Sequence, residues 1–170
     1  MVKNDAWEPV KKSSLPKGTK VMDSTWACKN KSTRKLCGHL NAHGFKQVEG
    51  VHYDGSSTHA PVSNAGTIQI VLMLMIMANW QGQIVDVNGT FLHGEFKDSK
   101  VIYMKVPRGF EKFYHVVLKL KKCSYGLKQA AMAFWHQLLL CMKSMGMTRS
   151  TAVPCLYHKW GEEGLVLIVS

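Results

Sequence analysis

Acidic residues are scarce in this chain: 11 Asp plus Glu stand against 22 Lys plus Arg among 170 residues, a formal charge of +11 with histidine neutral. That balance favours a polyanionic partner such as nucleic acid, with anionic lipid as the competitor. Cysteine pairs are lacking as well. Cys28, Cys37, Cys123, Cys141 and Cys155 are odd in number, widely spaced and include no Cys-x-x-Cys, which argues against a disulfide framework or a structural zinc site and fits a reducing compartment. Long hydrophobic runs are absent. The longest, Ile70 to Ala78, is nine residues, about half of what a spanning helix needs, and Met1 to Trp7 contains no apolar signal core. The expectation is an intracellular protein, cytoplasmic or nuclear, neither secreted nor membrane-bound.

What is present suffices for one compact domain or one lobe of a larger one. The 46% apolar content allows a substantial core, and no internal repeat, low-complexity tract or linker divides the chain. Residues 1–18 read as an irregular lead-in. Thr19 to Lys29 and Lys35 to Gln47 read as a basic antiparallel hairpin around Asn30-Lys31-Ser32-Thr33, with Trp26 in a core. Pro61-Val62-Ser63 breaks the chain, and Ser63 or Asn64 caps the next element. From Gly66 to Trp80 the sequence is apolar nearly all round, and its length predicts a buried helix. Gln83 to Val87 then reads as a strand ending in the turn Asn88-Gly89. Val101 to Val106 and His115 to Leu120 read as strands around Pro107-Arg108-Gly109. A helix from about Lys128 to Met145 places Ala131, Trp135, Leu138, Leu139 and Met142 on one face. Cys155 to Trp160 and Leu165 to Val169 form a closing hairpin, and a strand at the terminus suggests a natural domain that continues.

Candidate chemistry starts at Asp86, a carboxylate at the end of an apolar strand. If buried, it needs a cation, a hydrogen-bond donor or a metal; otherwise it caps the Asn88-Gly89 turn. His39 and His43, four apart on a strand, lie roughly 13 Å from each other and do not share a metal. Basic residues from Lys11 to Lys35 cluster in the amino-terminal third, where they form a solvated face or a nonspecific nucleic-acid contact.

The run Asp86-Val87-Asn88-Gly89-Thr90-Phe91-Leu92-His93-Gly94-Glu95 resembles the D-V-x-x-A-F-L-H-G block of copia-type retrotransposon reverse transcriptases. In the family's order stand Gly44-Phe45-Lys46-Gln47, Gly50-Val51-His52-Tyr53, His59-Ala60-Pro61-Val62, Tyr103-Met104 with Pro107-Arg108-Gly109-Phe110, and Ser124-Tyr125-Gly126-Leu127-Lys128-Gln129-Ala130. The resemblance runs from about Trp7 to the last residue. It implies an α+β fold of the right-hand polymerase type, with a fingers-like basic hairpin over residues 19–60 and, over 61–170, mostly palm, an antiparallel sheet backed by helices and incomplete at the carboxyl terminus. It implies an RNA template, an RNA–DNA hybrid and deoxynucleoside triphosphates as partners, together with the remainder of a parent polyprotein. Asp86 becomes the first metal-binding carboxylate, for Mg²⁺. Phe91 lies under the sugar of the incoming nucleotide and excludes a 2′-hydroxyl. Tyr125, Gly126, Lys128 and Gln129 line the nucleotide pocket.

Two-metal nucleotidyl transfer needs several carboxylates converging on a pair of Mg²⁺ ions about 4 Å apart. The family supplies an aromatic-x-Asp-Asp turn expected immediately after Leu165 to Ser170, and no Asp-Asp pair occurs in the 170 residues. Glu162 and Glu163 read as a solvated turn at the far end of the last strand, and nothing fixes Glu95 or Asp98 beside Asp86. The fingers also depart from pattern. Cys37-Gly38-His39-Leu40 and His43 stand where the family has phosphate-holding cations, and Gln69, Asn88 and Thr90 stand where it commonly has Arg, Lys and Ala. Histidine is mostly neutral at pH 7 and cysteine offers no fork for phosphate. The expectation is a polymerase fragment inactive alone; the alternative is a non-catalytic nucleic-acid-binding module derived from it.

Overall fold

The computed structural model describes residues 5–30, 36–96, 100–110, 115–162 and 164–170. They form an α+β fold in two compact units, one built from residues 1–59 and 89–134, the other from 60–88 and 135–170.

The first unit holds a four-stranded sheet of β1 (Trp7–Lys11), β2 (Val21–Met22), β5 (Ile102–Lys105) and β6 (Val116–Leu120), in the order β1-β6-β5-β2. Alternation explains the inner strands: Ile102 and Met104 are buried while Tyr103 and Lys105 face outward, the period-two pattern of a half-buried strand. β5 and β6 run antiparallel with Ile102 opposite Leu120, and β2 joins β5 in parallel. β1 corrects the expectation of an irregular lead-in, because Trp7 to Lys11 pair antiparallel with Leu120 to Val116. Pro9 is tolerated there because β1 is an edge strand, where a missing N–H donor costs little. Glu8, directly opposite Lys119, forms an ion pair with it at 2.9 Å. The core gathers Met22, Leu40, Ala42, Ile102, Met104, Leu118, Leu120, Cys123, Leu127 and Ala130.

Beside this sheet stands the expected hairpin, β3 (Ser24–Asn30) and β4 (Leu36–Ala42), in register from Ser24 opposite Ala42 to Asn30 opposite Leu36. Its turn lies outside the described residues. The strands are shorter than the sequence implies. Val21 and Met22 leave for the sheet, and Gly44 to Lys46 form a single 3-10 turn. Trp26 is 38% exposed rather than core.

In the second unit, helix α1 (Ala65–Met77) starts at Asn64, whose side chain accepts a hydrogen bond from the Thr67 N–H at 2.7 Å. The expected helix forms, but its burial does not. Only Thr67 is buried within it, and Ile70, Met73, Ile76 and Met77 are 60% exposed or more. An all-round apolar helix records what a cover would bury, not whether a cover is present. Residues 83–87 are not a strand; they have no regular secondary structure, and Ile84 and Val85 are exposed. Their β-branched residues Ile84, Val85 and Val87 reflect propensity, which a sheet realises only when a partner strand supplies hydrogen bonds.

Helix α2 (Ala130–Ser144) begins in the first unit and continues into the second from Trp135. Leu138, Leu139 and Met142 pack with Met147, Tyr157 and Ile168, as the spacing predicts. Ala131 is exposed, and its neighbour Ala130 is the buried one. The last sheet orders β7 (Thr148–Arg149), β8 (Leu156–Gly161) and β9 (Gly164–Val169) sequentially, with β8 and β9 forming the expected hairpin. Among the described residues no helix is long and apolar enough to cross a membrane.

Candidate nucleotide and nucleic-acid site

The loop after β6 is seated by backbone contact. The Ala42 N–H at the end of β4 donates to the Tyr125 carbonyl at 2.8 Å. The next residue, Gly126, has φ +87°, and a Cβ there would land on the Ala42 carbonyl oxygen; a Cβ on Gly44 would likewise land on the Gly126 carbonyl. Only glycine serves at Gly126, since the left-handed region and the close approach both exclude a side chain. Tyr125 thereby takes a fixed place. Its ring meets Phe91 edge to face at 4.7 Å between centroids and His39 of β4 at 5.3 Å, both within the favourable range for aromatic pairs.

Phe91 belongs to the single 3-10 turn Thr90–His93, which comes after Gly89 in the left-handed conformation. The turn is held close to α2 because Gly94 approaches the Ala133 Cβ and the Phe134 N–H to where a Cβ would stand 2.9 Å from each. The glycine of the Phe-Leu-His-Gly run is thus a packing requirement.

Lys128 and Gln129 diverge in role. Gln129 is buried: its Nε2 donates to the His52 carbonyl at 3.2 Å, and its Oε1 accepts from Gln47 Nε2 at 2.9 Å. Gln47, also buried, accepts the Lys128 N–H on its Oε1 at 2.8 Å. His52 Nδ1 accepts from the Val48 N–H at 3.0 Å. The network satisfies the buried amides, as burial demands. Lys128 remains exposed, its ammonium 3.0 Å from the Tyr53 hydroxyl and 4.6 Å from that ring's centroid. Sequence alone assigns Gln47, His52 and Tyr53 no role of their own. The signal that points to them is that the blocks Gly44 to Gln47 and Gly50 to Tyr53 travel together with Tyr125 to Gln129.

At the foot of the hairpin Asp23 bridges Lys46 and Lys105. Hydrogen bonds from Lys105 first and Lys46 second, against a smaller desolvation, lower its carboxyl to about 2. Burial pushes the Cys123 thiol up to about 12, leaving it an inert core residue.

Asp86 lies in the second unit, exposed, whereas Phe91, Tyr125, Gly126, Lys128 and Gln129 lie in the first. Glu162 is exposed in the β8–β9 turn, and Asp98 and Glu163 fall outside the described residues. Among the described residues no group of three or more His, Cys, Asp or Glu side chains is gathered as a metal site. The exposed Asp86 carboxylate does not by itself supply the several oxygen ligands in tight geometry that a pair of magnesium ions demands.

A family model described as reverse transcriptase (RNA-dependent DNA polymerase) matches residues 4–170, and the chain belongs to that family. Among curated proteins it is similar to the Retrovirus-related Pol polyprotein from transposon TNT 1-94 of Nicotiana tabacum, 32% identical over 162 residues, 91% of this chain and 12% of that protein. It is also similar to those from transposons RE1 and RE2 of Arabidopsis thaliana. The first is 33% identical over 128 residues, covering 74% of this chain and 8% of the relative; the second is 29% identical over 161 residues, covering 91% and 11%. The chain therefore spans about a tenth of the length of the curated relatives it matches. No solved structure matches it.

Proposed function

We propose that this chain is the nucleotide- and template-holding part of a retrotransposon RNA-directed DNA polymerase, acting within a parent polyprotein. The hairpin β3–β4 serves as fingers and residues 61–170 as mostly palm. The observation that carries the reading is the seat of Tyr125 and Gly126 on the end of β4. It sets the Phe91 and Tyr125 rings edge to face beside a loop that presents the exposed ammonium of Lys128. Aromatic faces stack on bases or press against a sugar, and a flexible ammonium meets phosphate. Gln129, with its amide engaged on both ends, acts as a strut that shapes the loop.

Magnesium is the family's cofactor, and Asp86 supplies one of its ligands when the remaining carboxylates come from elsewhere in the polyprotein. The 170 residues bind substrate and hybrid without chemistry of their own. The sequence favours this non-catalytic behaviour: no Asp-Asp pair occurs in the 170 residues to join Asp86. The test is template-dependent incorporation of deoxynucleotides on an RNA template, measured for the chain alone and for a longer polyprotein segment that includes two adjacent aspartates. The chain alone is expected to give none and the longer segment to extend the primer. Extension by the chain alone, abolished by Asp86→Asn, would overturn the non-catalytic assignment; an inert longer segment would overturn the polymerase assignment.

A further inference from the structure

Strand β4 brings a thiol and an imidazole together on one face of the hairpin. Cys37 and His39 stand two apart, so the period of a strand puts both on the same side, and Cys37 Sγ lies 3.5 Å from His39 Nε2. We propose that this pair is a binding site for a zinc-class metal ion, held by the Cys37 thiolate and His39 Nε2 and separate from the magnesium chemistry of the family.

Distance carries the inference. A tetrahedral zinc ion bonds sulfur at about 2.3 Å and imidazole nitrogen at about 2.0 Å, and an angle of roughly 109° between those bonds sets the two ligand atoms about 3.5 Å apart. The observed spacing is that of a chelating pair, so an ion enters by rotation of two side chains with no shift of backbone. His39 is also a held ligand, because its ring meets Tyr125 edge to face at 5.3 Å. His43 is engaged elsewhere: its Nε2 stands 2.6 Å from Thr25 Oγ1 and its ring stacks on Phe45. Cys28 is excluded by register. It lies opposite Gly38, the residue between Cys37 and His39, so its thiol faces the other side of the hairpin.

Ligand chemistry selects the ion. Thiolate and imidazole suit zinc, whereas magnesium takes oxygen ligands. From Ser24 to Ala42 the sequence contains no Asp or Glu, so the hairpin offers a hard cation no carboxylate. Cys37 and His39 also stand where the family has phosphate-holding cations, and the departure from the polymerase pattern is therefore what supplies the metal ligands. Binding sends the thiol proton to solvent, and water fills the two remaining positions of the tetrahedron. An occupied site fixes the His39 ring against Tyr125 and so ties β4 to the loop that carries Lys128.

The experiment titrates the full, reduced 170-residue chain with Co²⁺ as the spectroscopic stand-in for zinc. The expected result is a near-ultraviolet charge-transfer band from thiolate to cobalt that zinc removes and an excess of magnesium leaves in place. Cys37→Ser should abolish the band. His39→Asn should weaken cobalt binding at least about tenfold, the scale on which losing even an outer partner weakens a metal site. Cys28→Ser and His43→Gln should leave band and affinity unchanged. A second measurement needs no variant and so is immune to misfolding: on the unsubstituted chain, zinc should slow alkylation of Cys37 by iodoacetamide, read by peptide mass spectrometry, while the exposed Cys28 and Cys141 react as before. The absence of a thiolate band, a band that survives Cys37→Ser, or unchanged affinity in His39→Asn overturns the proposal, as does equal protection of Cys28 by zinc.

Discussion

Gly126 carries a constraint out of proportion to its size, because a positive φ and the Ala42 carbonyl both occupy the space a side chain would need. Gly126→Ala is expected to destabilise the protein on the order of 3 kcal/mol, the combined scale of left-handed strain and overpacking, read as a lowered urea midpoint. Gln47→Ala leaves Gln129 Oε1 and the Lys128 N–H without their partner and should cost roughly 1–3 kcal/mol for stranded buried polar groups. An unchanged midpoint would show that water replaces the amide. Asp23 gives a pH signature. Its carboxyl ionises in the folded protein near 2, below the ordinary 3.8. A depressed carboxylate stabilises the fold above its unfolded value and loses that contribution as pH falls toward the folded one. Stability should therefore drop between about pH 4 and pH 2, and Asp23→Asn should flatten that part of the profile.

At the level of elements, the sequence is legible where period and partner coincide. β5, β6, β8, β9 and the Leu138, Leu139 and Met142 face of α2 announce themselves by spacing, and neighbours complete them. β1 hides because its partner lies more than a hundred residues away, and nothing local in Trp7 to Lys11 records Leu120. Residues 83–87 mislead in the opposite sense, β-branched like a strand without forming one. The aromatic and loop residues of the site are readable as blocks, but the Gln47–Gln129 pair is not, since a glutamine's buried amide looks in sequence like any surface glutamine. α1 offers a direct measurement. Asn64→Ala removes the cap on Thr67 and should cost about 1 kcal/mol. Lysine at the exposed positions Ile70 and Ile76 should raise solubility with little change in thermal midpoint, because exposed substitutions seldom shift stability by more than about 0.5 kcal/mol. A large drop would mean that α1 is covered in solution.

For the whole molecule, the charge of +11 sets the behaviour toward nucleic acid. Binding to an RNA–DNA hybrid should weaken at least about tenfold between roughly 50 and 200 mM salt, as counterion release requires; salt-independent binding would remove the electrostatic basis of the reading. The +11 excess and the reverse-transcriptase blocks spread along nearly the whole chain point the same way, which is why function is more legible than topology.

The hydrogen bond from Ala42 to Tyr125 joins a two-stranded arm to the loop it overhangs. Gly44 and Gly126 stand on the two sides of that joint, each where a Cβ would meet a carbonyl oxygen of the other segment. Any side chain placed at Gly44 or Gly126 would have to part that joint, and the Tyr125 ring would be carried off the edge of Phe91 with it.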